Sequence, residues 1–267
     1  MDMAKVETLA KWIRDSKNIV AFTGAGCSTE SGLPDFRSPD GLYNNLGTNN
    51  HVSTESGIPD FRSVDGLYHQ QYAFPPETIL SHSFFERNPE EFYRFYRSKM
   101  LFPQARPNAA HWKLAELEAA GKLTAVVTQN IDGLHQAAGS KTVYELHGSV
   151  HRNHCMKCRR FYGLDFLLET GGVPRCPACG GVVKPDVVLY EECLDETTMV
   201  GAVEAIAGAD MLIIGGTSLA VYPAAGLIRY YRGNRLALIN KSATPYDREA
   251  GLVINASLGE VLGAIRV

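Results

Sequence analysis

The sequence predicts an α/β protein with a Rossmann-like, doubly wound parallel sheet and a second, smaller domain. Three observations support this fold class. Short apolar runs alternate with stretches of helical periodicity along most of the 267 residues, as expected for parallel strands joined by helices. The first apolar run ends in a glycine turn. A segment rich in Cys, Gly and Arg, residues 151–183, then interrupts the alternation and indicates an inserted module.

The elements follow one another in the order that such a sheet requires. Residues 4–16 have apolar side chains at helical spacing, which predicts an amphipathic helix. Residues 19–22 form a short apolar strand that runs directly into Thr23-Gly24-Ala25-Gly26. A buried strand followed by a glycine turn is the opening of a nucleotide-binding βα unit. Further predicted strands are 124–128, 186–190, 211–214 and 235–239, and the predicted helices include 109–120 and 196–207.

Composition and charge are those of an ordinary globular protein. Hydrophobic residues make up 45% of the chain and charged residues 21%. The net charge of −3 is not that of a basic nucleic-acid-binding surface, so we expect no direct nucleic-acid partner. No apolar run approaches the roughly 18 residues that span a bilayer, and the N-terminal segment has no secretory signal. We therefore expect a cytoplasmic monomer with no membrane partner.

Four of the six cysteines form two close pairs. Cys155 and Cys158 are separated from Cys176 and Cys179 by 17 residues. In a reducing compartment, two Cys-x-x-Cys pairs at this spacing favour a metal over disulfides. Four thiolates complete the tetrahedral shell of one Zn²⁺ ion, which makes the predicted zinc site structural rather than catalytic. His154 adjoins the first pair and is an alternative ligand.

Residues 28–43 and 53–68 are two copies of one segment. They match at 14 of 16 positions with an offset of 25 residues. In one arrangement the first copy fills the ligand site beside the glycine turn and residues 44–68 bulge out. In a second, residues 53–62 fill the site and the extra residues loop out after Ser28; in a third, the copies compete. We favour the first, because it keeps turn and copy contiguous, and a surface insertion costs only on the order of 1 kcal/mol.

The glycine turn alone is a weak functional signal. Small residues at a strand-to-helix turn let the backbone approach a phosphate, but a glycine turn also occurs where only the backbone geometry requires it. The chain lacks a complete GxGxxG after the first strand, which argues against a hydride-transferring dehydrogenase.

Motifs in six places point more specifically when taken together. They are Gly24-Ala25-Gly26-Cys27-Ser28, Gly32-Leu33-Pro34-Asp35-Phe36-Arg37, Gln129-Asn130-Ile131-Asp132, His147-Gly148, Gly216-Thr217-Ser218-Leu219 with Val221-Tyr222-Pro223-Ala224-Ala225, and Ile239-Asn240-Lys241. In order and spacing they resemble the sirtuin family over about residues 4–265. The resemblance implies an NAD-dependent protein-lysine deacetylase that consumes NAD as a co-substrate.

The resemblance also implies roles for single residues. His147 stands at the place of the family's catalytic histidine, and imidazole accepts protons near neutral pH. Asn130, a second catalytic residue, and Asp132 would line the nicotinamide pocket, Gln129 would contact the ribose, and Phe36 would shield the reacting carbon. The implied NAD-binding residues are Gly24, Ala25, Gly26, Thr29, Asp35, Phe36, Arg37, Gln129, Asn130, Ile131, Asp132, Gly216, Thr217, Ser218, Asn240 and Lys241.

Two segments are implied to hold an acetylated lysine in a protein or peptide tail. A peptide between them would add as an extra strand, with backbone hydrogen bonds and little sequence selectivity. In the implied reaction the acetyl-lysine carbonyl oxygen attacks the ribose carbon that carries nicotinamide, which leaves. His147 then deprotonates a ribose hydroxyl that attacks the resulting imidate carbon, and water releases free lysine and O-acetyl-ADP-ribose. The implied substrate-binding residues are Val187, Val188, Leu189 and Tyr190 on one side, and Val221 and Tyr222 on the other.

We expect residues 1–37, 108–150 and 184–267 to form the NAD-binding domain. Residues 38–107 would supply the cofactor loop and the helical part of the small domain, and residues 151–183 the zinc module. Two other functions stay open. A sirtuin-like mono-ADP-ribosyltransferase would need the NAD pocket but could function without His147. A weakly active NAD-sensing binding module is the other alternative, because the duplicated loop could disrupt the site.

Overall fold

The computed structural model describes residues 1–38, 41–43 and 72–266. The chain divides into two compact units. The large unit comprises Met1–Leu33, Gln104–Ser149 and Leu194–Val267, and the small unit comprises Pro34–Pro103 and Val150–Cys193. The chain therefore leaves the large unit twice and returns to it each time.

Strands and helices alternate along most of the described chain. The strands are β1 (Ile19–Thr23), β2 (Leu123–Thr128), β3 (Val143–Glu145), β4 (Asn153–Cys155), β5 (Phe161–Tyr162), β6 (Val183–Pro185), β7 (Met211–Gly215), β8 (Leu236–Ile239) and β9 (Leu252–Ile254). The helices are α1 (Met3–Asp15), α2 (Pro76–Ile79), α3 (His82–Arg87), α4 (Pro89–Lys99), α5 (Ala109–Ala119), α6 (Leu134–Ala137), α7 (Leu164–Glu169), α8 (Glu196–Gly208) and α9 (Leu258–Gly263). Short 3-10 segments occupy Ala25–Cys27, Thr29–Ser31 and Ala224–Tyr230.

A parallel sheet with the strand order β3-β2-β1-β7-β8-β9 forms the centre of the large unit. The chain continues from β1 to β2 on one side and later reaches β7 on the other side. The topological switch point therefore lies between β1 and β7, where Phe22 is paired with both Val127 and Ile214. Open sheets of this kind bind ligands at the carboxyl edge beside the switch point. The predicted doubly wound parallel sheet is confirmed.

Both faces of this sheet are covered by apolar side chains. Ile19 and Ala21 of β1 belong to a buried cluster that includes residues of α1, α5 and α9. Val20 and Phe22 alternate with them and belong to a second cluster with α8 and the 3-10 segment Ala224–Tyr230. Because both faces are covered, β1 and β7 are fully buried, and their sequences are nearly continuous apolar runs.

Aromatic side chains of α4 form the core of the small unit. Phe92, Tyr93, Phe95 and Tyr96 are all fully buried, and the rings of Phe92 and Tyr96 stack with their centroids 5.4 Å apart. The Tyr93 hydroxyl donates to the backbone carbonyl of Val183 in β6. This hydrogen bond ties the helix to the antiparallel sheet of order β5-β4-β6.

The strand predicted at residues 186–190 is wrong. The structure keeps only an isolated bridge there, between Tyr190 and Ser81. The backbone N–H of Leu189 donates to the carboxylate of Glu192 at 2.9 Å instead of to a neighbouring strand. Val187 and Leu189 are buried, so the apolar pattern reports burial of a loop rather than a strand.

No helix of residues 1–38, 41–43 and 72–266 is both long and apolar enough to cross a membrane.

Candidate active site and metal centre

The glycine turn after β1 lies in contact with the backbone after β7. The Gly26 N–H donates to the carbonyl oxygen of Gly216 at 2.8 Å. A Cβ on Gly26 would lie 2.9 Å from that oxygen, and one on Gly24 would lie 2.7 Å from the Cβ of Thr217. Gly216 has a φ of +62°, and its Cβ would lie 2.2 Å from the backbone nitrogen of Cys27. The close approach of the two segments therefore requires glycine on both sides.

Ser28, which the sequence analysis did not single out as a site residue, connects two residues that it did. Its hydroxyl donates to Asp132 Oδ2 at 2.6 Å and accepts from Asn130 Nδ2 at 3.0 Å. Asp132 Oδ1 also accepts the N–H of Leu134, the first residue of α6, at 2.9 Å. A serine two residues after the last glycine of the turn was the available signal. Asn130 and Asp132 are thus held in fixed positions by a residue of the turn.

His147 follows β3 and is oriented by a backbone carbonyl. Its Nδ1 lies 3.0 Å from the carbonyl oxygen of Gln129. Because a carbonyl oxygen only accepts hydrogen bonds, Nδ1 carries the ring hydrogen and Nε2 keeps its lone pair. Burial lowers the pKa of His147, although the hydrogen bond to Gln129 acts in the opposite direction. The neutral ring therefore offers Nε2 as a proton acceptor near neutral pH.

The predicted NAD-binding residues of the large unit follow the ends of neighbouring parallel strands. Gln129 Nε2 donates to Thr217 Oγ1 at 3.1 Å, which joins the ends of β2 and β7. Thr29 Oγ1 donates to the carbonyl of Gly26 at 3.0 Å. Asn240 Nδ2 donates to Ser242 within its own loop, at 2.8 Å. Ala25 and Ile131 are half-buried, and Ser218 and Lys241 are exposed.

Besides the four paired cysteines, a group of three potential metal ligands lies buried in the large unit. It consists of Cys27, His111 and His135, whose donor atoms lie within 4.8 Å of one another. The N–H of Asn108 donates to His111 Nδ1 at 3.2 Å, so the hydrogen of this ring is on Nε2, 3.8 Å from Cys27 Sγ. Burial lowers the pKa of both histidines and raises the pKa of the thiol. The group is therefore a neutral hydrogen-bonded cluster, because the ring nitrogen that faces the sulfur has no free lone pair.

Three predicted cofactor residues of the first copy, Asp35, Phe36 and Arg37, lie in the small unit. The carboxylate of Asp35 accepts the backbone N–H groups of Arg37 and Ser38, at 3.2 Å and 2.9 Å. The N–H of Tyr43 donates to the carbonyl of Phe36 at 2.9 Å, and the two rings meet edge to face at 5.4 Å. The described residues of the first copy thus form a folded loop. The second copy, residues 53–68, lies outside the described residues.

The predicted substrate-binding residues are divided between the units. In the small unit Val187 and Leu189 are buried, Val188 is half-buried, and the Tyr190 hydroxyl lies 2.5 Å from that of Tyr43. In the large unit Val221 is half-buried and Tyr222 is 58% exposed.

Four cysteines of the small unit converge, as their spacing predicts. All four sulfur atoms lie within 4.8 Å of one another. The pair Cys155 and Cys179 is separated by 3.4 Å, and the pair Cys158 and Cys176 by 3.6 Å. Tetrahedral zinc with Zn–S bonds of about 2.3 Å requires sulfur atoms about 3.8 Å apart. The cluster therefore fits one structural zinc ion.

Hydrogen bonds lower the pKa of Cys155 and Cys176, whereas the pKa of Cys179 is raised by its bonds to the neighbouring cysteine sulfurs, against a bond from the Gly181 N–H. The Tyr162 hydroxyl donates to Cys176 Sγ at 2.9 Å, and this hydrogen bond lowers the pKa of Cys176 to about 6. The Cys158 N–H donates to Cys155 Sγ at 3.5 Å. Arg159 has a φ of 62° and returns the chain to Cys155, since its N–H donates to the Cys155 carbonyl at 2.9 Å. Hydrogen bonds to the sulfur atoms orient metal ligands and stabilise their charge.

A family model described as the Sir2 family matches residues 24–51 and 49–223. The chain belongs to the Sir2 family. An NAD-dependent protein deacetylase of Clostridium perfringens is 56% identical over 262 residues, covering 98% of each chain. The NAD-dependent protein deacetylase of Cutibacterium acnes is 51% identical over 260 residues, covering 97% of each chain.

Solved Sir2 structures share the fold over nearly the whole chain. A complex of Sir2 with a p53 peptide and NAD⁺ has a TM-score of 0.76 and 36% sequence identity, covering 96% of this chain and 95% of that one. A Sir2 complex with a deacetylated p53 peptide and 3′-O-acetyl ADP ribose has a TM-score of 0.79 and the same identity and coverage. The likeness therefore extends over residues of both units.

Each of the two matches to the Sir2 family model contains one copy of the duplicated segment. The first match holds the glycine turn and residues 28–43, and the second holds residues 53–68 and continues to residue 223. The first copy is thus continuous with the turn, whereas the second is continuous with the downstream part of the family pattern. Which copy acts at the site stays a prediction.

We expect the purified protein to contain one zinc ion per chain, held by the four-cysteine cluster. Cys176→Ser should abolish zinc retention and lower the melting temperature, because three thiolates leave the tetrahedral shell incomplete. Cys193 is exposed and lies outside the cluster, so Cys193→Ser is the matched control and should retain the metal. Metal analysis by mass spectrometry and thermal melting test this; equal zinc content in both variants would contradict it.

Gly216→Ala should displace the glycine turn and weaken NAD binding. The left-handed φ alone costs about 1–2 kcal/mol of stability, and the contact with Cys27 adds to it. Gly121 has a similar φ of +68° but nothing within 4 Å of its would-be Cβ. Gly121→Ala therefore carries the strain without the contact, and its NAD affinity should equal that of the wild type. Calorimetric titration with NAD measures both affinities. Equal NAD affinity in the two variants would show that NAD binding does not require glycine at position 216.

Proposed function

We propose that this protein is an NAD-dependent protein-lysine deacetylase that transfers the acetyl group to ADP-ribose and releases nicotinamide. The observation that carries the proposal is the tautomer of His147, whose Nδ1–H is bonded to a backbone carbonyl and whose Nε2 is free to accept a proton. Membership of the Sir2 family and the names of its relatives agree with this activity.

NAD binds along the carboxyl edge of the parallel sheet in this proposal. The glycine turn approaches the phosphates with its backbone, and Thr217 and Ser218 hold them from the end of β7. Asn130 and Asp132 recognise the nicotinamide amide, which has both a donor and an acceptor to satisfy. Their hydrogen bonds to Ser28 fix both side chains before the ligand arrives, which lowers the entropy cost of binding.

The remaining predicted cofactor residues complete the site. Gln129 contacts the ribose, Asn240 and Lys241 the adenosine side, Phe36 shields the reacting carbon from water, and Arg37 binds phosphate. The other residues that we assign to NAD are Ala25, Gly26, Thr29, Asp35, Ile131 and Gly216.

His147 acts as general base. After the carbonyl oxygen of the acetyl-lysine has displaced nicotinamide from the ribose, Nε2 takes the proton of a ribose hydroxyl, and the oxygen of that hydroxyl attacks the former carbonyl carbon of the acetyl group. Water then releases the free lysine, and the acetyl group stays on ADP-ribose. The positive charge that forms on the ring is stabilised through Nδ1–H by the carbonyl oxygen of Gln129. The lowered pKa of His147 keeps the ring unprotonated, and therefore competent, at neutral pH.

The acetylated lysine comes from a protein or peptide tail. We assign its binding to Val187, Val188, Leu189 and Tyr190 in the small unit and to Val221 and Tyr222 in the large unit. The four reduced thiolates of the zinc cluster suit a reducing compartment, so we place the reaction in the cytoplasm. The large unit would bind NAD, and the small unit would carry the zinc. We expect a monomer.

The decisive experiment incubates the purified protein with an acetyl-lysine peptide, with and without NAD. We expect loss of one acetyl mass from the peptide only with NAD, together with acetylated ADP-ribose, by mass spectrometry. His147→Ala should lower the rate by about 10²–10⁴-fold while NAD binding persists. ADP-ribosylated protein in place of deacetylated peptide would indicate mono-ADP-ribosyl transfer. NAD binding without any turnover would indicate a sensing module.

The acidic limb of the rate profile follows from the pKa of His147. A general base works unprotonated, and burial lowers its pKa below the ordinary histidine value of about 6.5. The rate should therefore decline as the pH falls, with the midpoint of the decline below about 6.5. A decline centred above it would show that another group controls the reaction.

Paired substitutions decide which copy of the duplicated segment acts. Phe36 belongs to the first copy, and Phe61 occupies the same place in the second. If the first copy fills the site, Phe36→Ala should lower the deacetylation rate by about 10- to 100-fold, because the reacting groups lose their alignment. Phe61→Ala is the matched control and should leave the rate unchanged. The reverse result would assign the site to the second copy.

A further inference from the structure

Asn108 lies before α5 and uses every polar group it has. Its Oδ1 accepts the N–H of Ala110 at 2.9 Å, which caps the helix. Its own N–H donates to His111 Nδ1 at 3.2 Å, which completes a capping box. The two hydrogens of Nδ2 are directed away from the helix, to the carbonyl oxygen of Cys27 at 2.7 Å and to Ser31 Oγ at 3.0 Å.

Both acceptors of Asn108 Nδ2 lie in the segment that follows the glycine turn. Cys27 ends the first 3-10 segment and Ser31 ends the second. Between them stands Ser28, the residue that holds Asn130 and Asp132. The Cys27 carbonyl is part of the peptide bond to Ser28, so the bond from Asn108 fixes the plane from which the Ser28 side chain projects.

The side chain of His111 also contacts Cys27. The capping box places the ring hydrogen on Nε2, 3.8 Å from Cys27 Sγ. The helix cap thus contacts Cys27 twice, once at its carbonyl and once at its sulfur. An ordinary N-cap needs only the acceptor that satisfies the first helical N–H groups, so the donor side of Asn108 serves a purpose that capping does not explain.

We propose that Asn108 is a positioning residue for NAD binding, acting through the Cys27 carbonyl on Ser28 and thus on Asn130 and Asp132. This inference rests on the proposed function, because it assigns Asn130 and Asp132 to the nicotinamide amide. NAD affinity would then depend partly on the N-cap of α5, a helix that contributes no residue to the proposed NAD contacts.

Asn108→Asp separates capping from positioning. Aspartate keeps the capping acceptor and is an equally good N-cap, but it removes the donor and places an oxygen against the Cys27 carbonyl oxygen. We expect the dissociation constant for NAD to rise by about 3- to 10-fold or more, the range for one lost hydrogen bond. Affinity for the acetyl-lysine peptide alone should stay at the wild-type value.

Asn88→Asp is the matched control. Asn88 caps α4 by accepting the N–H of Glu91 at 3.2 Å, so the same chemical change alters a cap in the small unit without touching the turn. Its NAD affinity and melting temperature should equal those of the wild type. Asn108→Ser keeps a capping acceptor without adding a charge and replaces Asn108→Asp should that variant fail to fold.

Calorimetric titration with NAD and with the peptide, and thermal melting, decide the matter. The expected result is a selective loss of NAD affinity in the Asn108 variants, with melting temperatures equal to that of the Asn88→Asp control. NAD affinity within twofold of the wild type overturns the positioning role and leaves the deacetylase intact. A parallel fall in peptide affinity and melting temperature reduces Asn108 to a helix cap. A wild type that binds no NAD removes both proposals together.

Discussion

The site depends on the absence of side chains where two backbones meet. Gly26 and Gly216 lie close enough for a direct N–H to carbonyl hydrogen bond, and neither segment has room for a Cβ. This contact closes the switch point between β1 and β7 and brings the residues after both strands within reach of one ligand. The position of Ser28 depends on this contact. Because Ser28 comes just after the turn, the turn determines where the Ser28 hydroxyl meets Asn130 and Asp132. Larger residues would keep the same strands but separate the groups that follow them.

Much of the fold could be predicted because the strands are buried on both faces. Ile19 to Phe22, and the runs at β2, β7 and β8, are continuous apolar segments with few competing interpretations. The same cue misled at residues 186–190, where Val187 and Leu189 are buried in a loop and the Leu189 N–H donates to a carboxylate. β9 and α9 escaped prediction, since each is too short for a period to be recognised. The four-cysteine cluster could be predicted from spacing alone, because ligand geometry restricts it more than packing does.

The residues of the candidate site also fall into two groups, those that the sequence could identify and those that it could not. Residues that lie in motifs, such as Gln129, Asn130 and His147, could be named from the sequence. Ser28 and Asn108 could not be assigned a role, because their importance lies in contacts across 102 and 81 positions of the chain. Histidines show the limit most clearly. His147 and His111 both have one ring nitrogen fixed by a backbone group, but a carbonyl fixes the first and an N–H the second. The partner decides which nitrogen keeps its lone pair, so Nε2 of His147 can accept a proton, whereas Nε2 of His111 can only donate one.

The order of strands in the large unit has a consequence for synthesis of the protein. β1 leaves the ribosome early, yet its neighbour β7 pairs Met211 with Ile19 and is translated near the end. Until then one edge of β1 stays open, and the turn that follows it has no Gly216 to close against. The cysteine module, in contrast, draws all its ligands from residues 155–179 and can capture its metal while most of the later strands are still unmade. The order of translation therefore supplies all four cysteines of the module before the residue that closes the glycine turn.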